Sequence, residues 1–189
     1  MSKYGLDVVT VKLVKEELLK LQSDVRITSP IDAVKLVGDK LCELDRECVC
    51  VISLRHDGMP LNVNFASIGA LQASIASPRE ILKPVLLNNV ESFILVHNHL
   101  GHPTPSRQDA QITDRMVQIC DLMGLNMLDH IIVYGNNEEY YSFNEHDIMP
   151  MPKNHFTNIP DEVVISDSEI KLTDSVEDDE EVEEVQIKL

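Results

Sequence analysis

Apolar positions in the first clearly patterned segment recur every three or four residues, which is the spacing of one face of a helix. Ser29 and Pro30 come just before them and have the form of a helix N-cap followed by proline at the first helical position. The apolar face consists of Ile31, Val34, Val37, Leu41 and Leu44. The pattern therefore predicts a helix over about residues 30–45.

The next segments have the composition of two strands divided by a turn. Residues 47–54 are apolar and β-branched, residues 56–58 (His-Asp-Gly) are typical of a turn, and residues 61–65 alternate with asparagine. These segments predict a β-hairpin. A second helix is predicted from Pro78 to about Asn89, and residues 92–97 form a short apolar run typical of a buried strand.

A loop rich in glycine and proline, residues 98–105, separates this strand from a third predicted helix. Ser106 and Asp109 have the spacing of a capping box at the start of the helix, and Gly124 suits the position just after its end. The apolar face of this helix consists of Ile112, Met116, Val117, Cys120 and Met123. Residues 128–134 and 139–143 then predict a second hairpin.

The composition changes after residue 150, where Met149, Pro150, Met151 and Pro152 interrupt any regular element. We predict a partly helical N-terminal extension over residues 1–28, a folded domain over 29–150, and a proline-containing linker with an acidic tail over 151–189. Residues 161–189 contain 12 acids and 2 bases. Because such a segment buries too little apolar area to offset its ordering entropy, we expect a disordered tail that can bind a basic partner or add a strand to one.

Charge and hydropathy argue against several classes of partner. The 189 residues carry a formal net charge of −16, of which the tail supplies −10, and no Lys/Arg cluster offers the contacts on which nucleic-acid affinity rests. Direct nucleic-acid binding is therefore not expected. The chain has no signal-peptide pattern and no apolar run of the ~18 residues that a membrane span needs, so we expect a cytoplasmic protein. The cysteines lack metal-binding spacing and are expected to be buried small apolar residues: Cys42, Cys48, Cys50 and Cys120.

The candidate chemistry lies at the end of the predicted strand over residues 92–97. His97 and His99 are two residues apart, so in an extended chain both imidazoles point to the same face and can bind one ion. A catalytic zinc site uses three protein ligands and leaves one position for water, and Asp109 can supply the third ligand. The alternative is that the histidines are ordinary strand-end residues and that Asp109 only caps a helix.

This combination of a strand ending in His97-Asn98-His99, a Gly/Pro loop and a Ser-x-x-Asp helix start resembles the JAMM metalloprotease motif. The resemblance extends over about residues 29–145 and makes the chain similar to the RadC family of JAB/MPN proteins. The residues that carry it are Ser29-Pro30, Leu44-Asp45-Arg46-Glu47, Ser77-Pro78-Arg79-Glu80-Ile81, His97-Asn98-His99, Pro103-Thr104-Pro105-Ser106, Asp109, Leu128-Asp129-His130-Ile131 and Tyr141-Ser142-Phe143. The resemblance implies an α/β fold with a curved mixed sheet flanked by helices, one Zn²⁺ per chain, and hydrolysis of an amide or isopeptide bond in a peptide substrate.

The resemblance also assigns roles to two further residues. Glu47 matches the general base, which takes a proton from a metal-activated water, and Ser106 matches the hydrogen-bond donor to the oxyanion. From the residues alone, Glu47 is equally a solvated acid at a strand end, and Ser106 is a helix cap. The loop between His99 and Ser106 has six residues, one fewer than the usual motif, so we expect the ligands to converge through a tighter loop.

Two other functions remain open from the sequence. A metal-dependent nuclease or other hydrolase would use the same ligands, but it needs basic residues near the metal, and only Arg107 and Arg115 qualify. A non-catalytic binding module would keep the fold, but it has no use for Glu47. Of the remaining histidines, His102 is expected in an exposed loop and His130 at the edge of the sheet, and neither is needed for the metal.

Overall fold

The structure of the chain, a computed structural model, describes residues 25–68, 77–135 and 139–153. The predicted N-terminal extension and the predicted acidic tail lie almost entirely outside these ranges. None of the helices within them has the length and apolar character that a membrane crossing requires.

Three helices and five strands make up the described part of the chain. In chain order they are α1 (Pro30–Cys42), β1 (Cys48–Leu54), β2 (Pro60–Ile68), α2 (Pro78–Asn88), β3 (Ser92–His99), α3 (Arg107–Met123), β4 (Asn126–Tyr134) and β5 (Glu139–Ser142). Each helix and strand predicted between residues 30 and 143 is confirmed, with ends that differ by a few residues. One difference matters for the site: β3 was predicted to end at His97 but continues to His99, because His99 pairs with Tyr134 of β4.

The five strands form one mixed sheet in the order β2-β1-β3-β4-β5. Strand β1 pairs antiparallel with β2 and β3, and β4 pairs antiparallel with β5. Strands β3 and β4 are parallel, and α3 is the crossover that a parallel pair requires. The predicted α/β fold with a mixed sheet flanked by helices is therefore confirmed.

Alternation along β1 divides the core into two layers. Cys48, Cys50 and Ile52 pack with α1 on one face of the sheet, whereas Val49 and Val51 pack with α2 and α3 on the other. Both faces of the central strands are therefore covered, which explains why β1 is buried along its whole length. Three of the four cysteines are buried in these two layers as expected: Cys48, Cys50 and Cys120.

After β5 the chain runs back to α3, where the Gln118 side chain holds its backbone. The Gln118 side chain donates a hydrogen bond to the Met151 carbonyl (3.0 Å) and accepts one from the Lys153 backbone N–H (2.7 Å). Lys153 also forms an ion pair with Asp114 of the same helix at 2.6 Å. Ordered contacts with the domain thus continue for three residues beyond position 150.

Candidate metal centre

Strand β3 brings two histidines to the sheet face that α2 and α3 cover. Phe93 and Leu95 of β3 belong to the core on that face. Because side chains two apart along a strand point the same way, His97 and His99 extend the same row. His97 is buried, and His99 is partly buried. The apolar part of the strand thus determines the direction of the two imidazoles.

The N-terminus of α3 brings a carboxylate to the same place. The Ser106 backbone N–H donates to Asp109 Oδ2 (2.6 Å), and the Asp109 backbone N–H donates to Ser106 Oγ (3.1 Å). This is the predicted capping box, and it satisfies two backbone donors at the helix start. It also fixes Asp109 within the first turn, where the helix dipole favours a negative charge.

The potential ligand atoms of His97, His99 and Asp109 all lie within 4.8 Å of one another. The two Nε2 atoms are 2.9 Å apart, and they lie 3.2 Å (His97) and 3.3 Å (His99) from the two carboxylate oxygens of Asp109. The structure thus brings the three predicted ligands together, although the loop before Ser106 is one residue shorter than the usual motif.

The hydrogen bonding of His99 fits the requirements of a metal ligand. His99 Nδ1 lies 2.9 Å from the carbonyl oxygen of His102. A carbonyl only accepts, so Nδ1 carries the proton, and in the neutral ring Nε2 keeps the lone pair that a metal needs. Two nitrogens and a carboxylate are also a ligand set that suits zinc. The residues present therefore fit a bound Zn²⁺.

The electrostatics of this cluster favour a cation. Burial by itself raises the pKa of Asp109, but the contacts of its carboxylate with the His97 and His99 rings outweigh it and hold the pKa far below the ordinary value. Burial lowers the pKa of His99, but its hydrogen bond with Asp109 is the first of several contacts that raise the pKa overall. A buried carboxylate that stays negatively charged beside two imidazole nitrogens is a site that suits a metal cation.

Glu47 lies at the start of β1, next to the His cluster. Val49 is paired with His97, so an extended chain places Glu47 two residues further along, on the His99 side of the sheet. Its side chain is exposed, and its negative charge is among the causes that raise the pKa of His99. The structure therefore places a solvent-accessible carboxylate near His99, one of the three potential ligands.

Asn98, between the two histidines, holds the backbone on both sides of Glu47. Its Oδ1 accepts a hydrogen bond from the Cys48 backbone N–H (2.7 Å), and its Nδ2 donates one to the Arg46 carbonyl (3.0 Å). The pairing of β1 with β3 ends at Val49 and His97, so this side chain continues the connection beyond the end of the ladder. Asn98 was not predicted to have a role, and its position between the two histidines was its only signal in the sequence.

Ser106, the predicted oxyanion donor, lies exposed at the N-terminus of α3. Its hydroxyl accepts a hydrogen bond from the Asp109 N–H, as the capping interpretation predicted. A hydroxyl that accepts one hydrogen bond still carries a proton to donate, so capping and donation to a substrate are compatible.

The prediction for His130 was wrong. His130 was expected at the edge of the sheet, but β4 lies between β3 and β5, and the side chain is only 1% exposed. Its Nε2 lies 2.9 Å from His97 Nδ1, and its Nδ1 lies 2.6 Å from Thr113 Oγ1. Burial, together with the nearby His97, lowers its pKa well below the ordinary value. His130 therefore contacts a potential ligand directly.

Curated bacterial proteins resemble this chain over the same region. The UPF0758 protein of Clostridium beijerinckii is 37% identical over 122 residues, which cover 64% of this chain and 53% of that protein. The UPF0758 proteins of Rubrobacter xylanophilus (35% identical over 124 residues, 65% of this chain and 53% of the relative) and Desulforamulus reducens (39% over 116 residues, 61% and 51%) are similar. The chain thus spans about half the length of the curated relatives it matches, and their shared name states no activity.

A family model described as the RadC-like JAB domain matches residues 27–148. These residues contain all eight described helices and strands and all five predicted site residues: Glu47, His97, His99, Ser106 and Asp109. The match covers well over half of the chain, and the sequence resemblance, the mixed sheet and the His/His/Asp cluster agree with it. The chain belongs to the RadC-like JAB domain family.

Proposed function

We propose that this chain is a zinc-dependent hydrolase of peptide or isopeptide bonds. His97, His99 and Asp109 hold the ion, and Glu47 acts as the general base. The observation that carries the proposal is the convergence of three ligand atoms within 4.8 Å beside an exposed glutamate. A binding module needs no such combination.

Each residue of the site has a separate role in the proposed reaction. A bound zinc ion supplies Lewis-acid chemistry that makes water a nucleophile at neutral pH. Glu47 accepts the proton of the attacking water and transfers it to the leaving amine. Ser106 donates a hydrogen bond to the oxygen on which negative charge develops, a contribution worth about 2.7–4 kcal/mol in other enzymes.

The charge of the chain supports a peptide rather than a phosphodiester substrate. Basic residues near the metal are needed to hold a phosphodiester, and around the loop the sequence offers only Arg107 and Arg115, whose side chains are exposed on α3. Asp45 pairs with Arg46 next to Glu47 at 2.7 Å, which partly neutralises the basic side chain closest to the proposed base. Hydrolysis of an amide therefore fits the site better than nuclease activity.

The test is hydrolysis of a mixed pool of quenched fluorescent peptides and isopeptide-linked lysine conjugates by the full chain loaded with zinc. Glu47→Gln keeps the size of the side chain but cannot accept a proton, so turnover should fall by about 10²–10⁴. Glu91→Gln is the matched control, because Glu91 is exposed and lies just before β3, at the end opposite His99. Full turnover by Glu47→Gln, or cleavage of a phosphodiester probe in place of every peptide, would contradict the proposal.

A further inference from the structure

Two side chains, His130 and Thr113, connect the buried side of His97 to the backbone of the helix that carries Asp109. His97 Nδ1 contacts His130 Nε2 at 2.9 Å, and His130 Nδ1 contacts Thr113 Oγ1 at 2.6 Å. Thr113 Oγ1 in turn lies 2.6 Å from the backbone carbonyl of Asp109. The chain of contacts therefore begins at one proposed zinc ligand and ends at the backbone of another.

The protons in this chain can be assigned from its end. A backbone carbonyl has no proton, so the contact between Thr113 and Asp109 requires the Thr113 hydroxyl to donate. This is the common i to i−4 hydrogen bond of threonine in a helix. The hydroxyl has only one proton, so it must accept from His130, and the proton of His130 is on Nδ1.

The assignment continues to His97. With its proton on Nδ1, neutral His130 has a lone pair on Nε2, so His97 Nδ1 must donate to it. His97 then has its own lone pair on Nε2, the atom that faces His99 and Asp109. If the Thr113 hydroxyl pointed to His130 instead, every proton would shift, and His97 would carry its proton on Nε2, where a metal must bind.

Burial makes this arrangement a fixed one. Thr113 and His130 are 0% and 1% exposed, so water cannot readily replace either contact. The His130 ring stacks on Phe143 with ring centroids 5.0 Å apart, which restricts its rotation. Phe143 is itself fully buried, and its backbone N–H donates to the His130 carbonyl (3.0 Å).

We propose that Thr113 and His130 are positioning residues that hold His97 in the Nδ1–H tautomer and so keep its Nε2 available for the metal. The inference rests on the proposed zinc site and deepens it. His99 obtains the same tautomer from one backbone carbonyl, which no substitution removes, whereas His97 depends on two side chains. The chain of contacts from His97 through His130 to Thr113, which we call the relay, also joins β3, β4 and α3 at the point where the ligands converge.

Zinc affinity of the full chain, measured by competition with a fluorescent chelator, tests the role of the hydroxyl. Thr113→Val keeps the shape but removes the hydroxyl, so zinc binding should weaken by about 10–100-fold, the usual effect of losing a partner of a metal-bound histidine. Thr113→Ser is the matched control, because it retains the hydroxyl and should bind zinc nearly as tightly as the parent. The melting temperature of each variant in excess EDTA shows whether the metal-free fold is intact.

The outcomes separate this inference from the proposed function. If the parent binds zinc and Thr113→Val binds it equally well, the relay has no role, although the metal site stands. If Thr113→Ser is as weak as Thr113→Val, a retained hydroxyl does not preserve zinc binding, any change at this buried position disturbs the site, and the inference is wrong. If the parent binds no zinc, the proposed function fails first.

Nuclear magnetic resonance of the histidine nitrogens tests the relay even in the metal-free chain. Long-range proton–nitrogen correlations identify which ring nitrogen carries the proton. We expect the proton of His130 on Nδ1 in the parent and in Thr113→Ser. A His130 proton on Nε2 in the parent would overturn the inference, because His97 could then not donate to it.

Discussion

Among single residues, the three of the His-Asn-His segment serve both metal binding and the position of the proposed base. The two histidines face the α2 and α3 side of the sheet as potential ligands, while the amide of Asn98 holds the backbone around Glu47. Two of the three potential ligands and the backbone around the proposed base are therefore positioned by three consecutive residues. The two hydrogen bonds of Asn98 fix the register of β3 against the residues around Glu47, which keeps the proposed base beside the site.

Replacing Asn98 tests this connection. Asn98→Ala removes both hydrogen bonds and leaves the buried Cys48 N–H without its partner, at a cost of about 1–3 kcal/mol. The Cys48 amide should exchange with deuterium markedly faster than in the parent. Asn126→Ala, at an exposed position, is the matched control and should leave that amide protected. Unchanged protection in Asn98→Ala would show that the side chain does not hold this backbone.

The predicted ligands were recognisable because their spacing carries information. His97, His99 and Asp109 lie within 13 residues of one another, in a strand and in the helix that follows the loop. His130 gave no such signal, because its contact with His97 depends on the pairing of β4 with β3 across 33 residues. Thr113 likewise looks like an ordinary helical residue until the rotation of α3 is known.

At the scale of elements, the helix boundaries were predictable because local hydrogen bonds define them. Helix α3 begins at a capping box and ends at Gly124, which has a φ of 65° and so adopts a conformation that glycine accepts at little cost. The extension of β3 to His99 was not predictable, because it is caused by pairing with β4 rather than by the apolar run. The order of the strands was not predictable either, because it depends on contacts between residues that are far apart in the sequence.

The start of α1 gives a prediction on pH. Asp32 Oδ2 accepts four hydrogen bonds, from the backbone N–H and the hydroxyl of both Thr28 and Ser29. The Thr28 backbone N–H is the main cause that lowers the pKa of Asp32 below 3.8. A depressed folded pKa means that this stabilisation is present above the unfolded pKa and is lost as the pH falls through the folded value.

Asp32→Ala should therefore cost about 1 kcal/mol at neutral pH, or about 2–8 °C in melting temperature. The difference from the parent should shrink as the pH falls below 3.8. Glu91→Gln serves as the control, because this exposed carboxylate lies outside any helix cap. A difference between Asp32→Ala and the parent that stays constant with pH would show that the lost contacts do not depend on the carboxylate charge.

At the scale of the whole molecule, charge bears on the choice of substrate. The formal net charge of −16 repels phosphate, and the sequence lacks a Lys/Arg cluster. We therefore predict that the full chain binds duplex DNA no tighter than ordinary non-specific affinity, about 10⁻⁴ M at physiological salt. Fluorescence anisotropy with a labelled duplex measures this. Salt-sensitive binding in the submicromolar range would contradict the prediction and favour nuclease chemistry.

In the proposed site, His97, His99 and Asp109 hold one zinc ion and Glu47 does not bind it. Metal content by mass spectrometry, after the full chain is supplied with zinc and desalted, tests it most directly. We expect about one zinc per chain in the parent and in Glu47→Gln, and little in His97→Ala, because a zinc site needs three protein ligands. Absence of zinc from the parent would contradict the site, and loss of zinc from Glu47→Gln as complete as from His97→Ala would show that Glu47 is a ligand rather than the base.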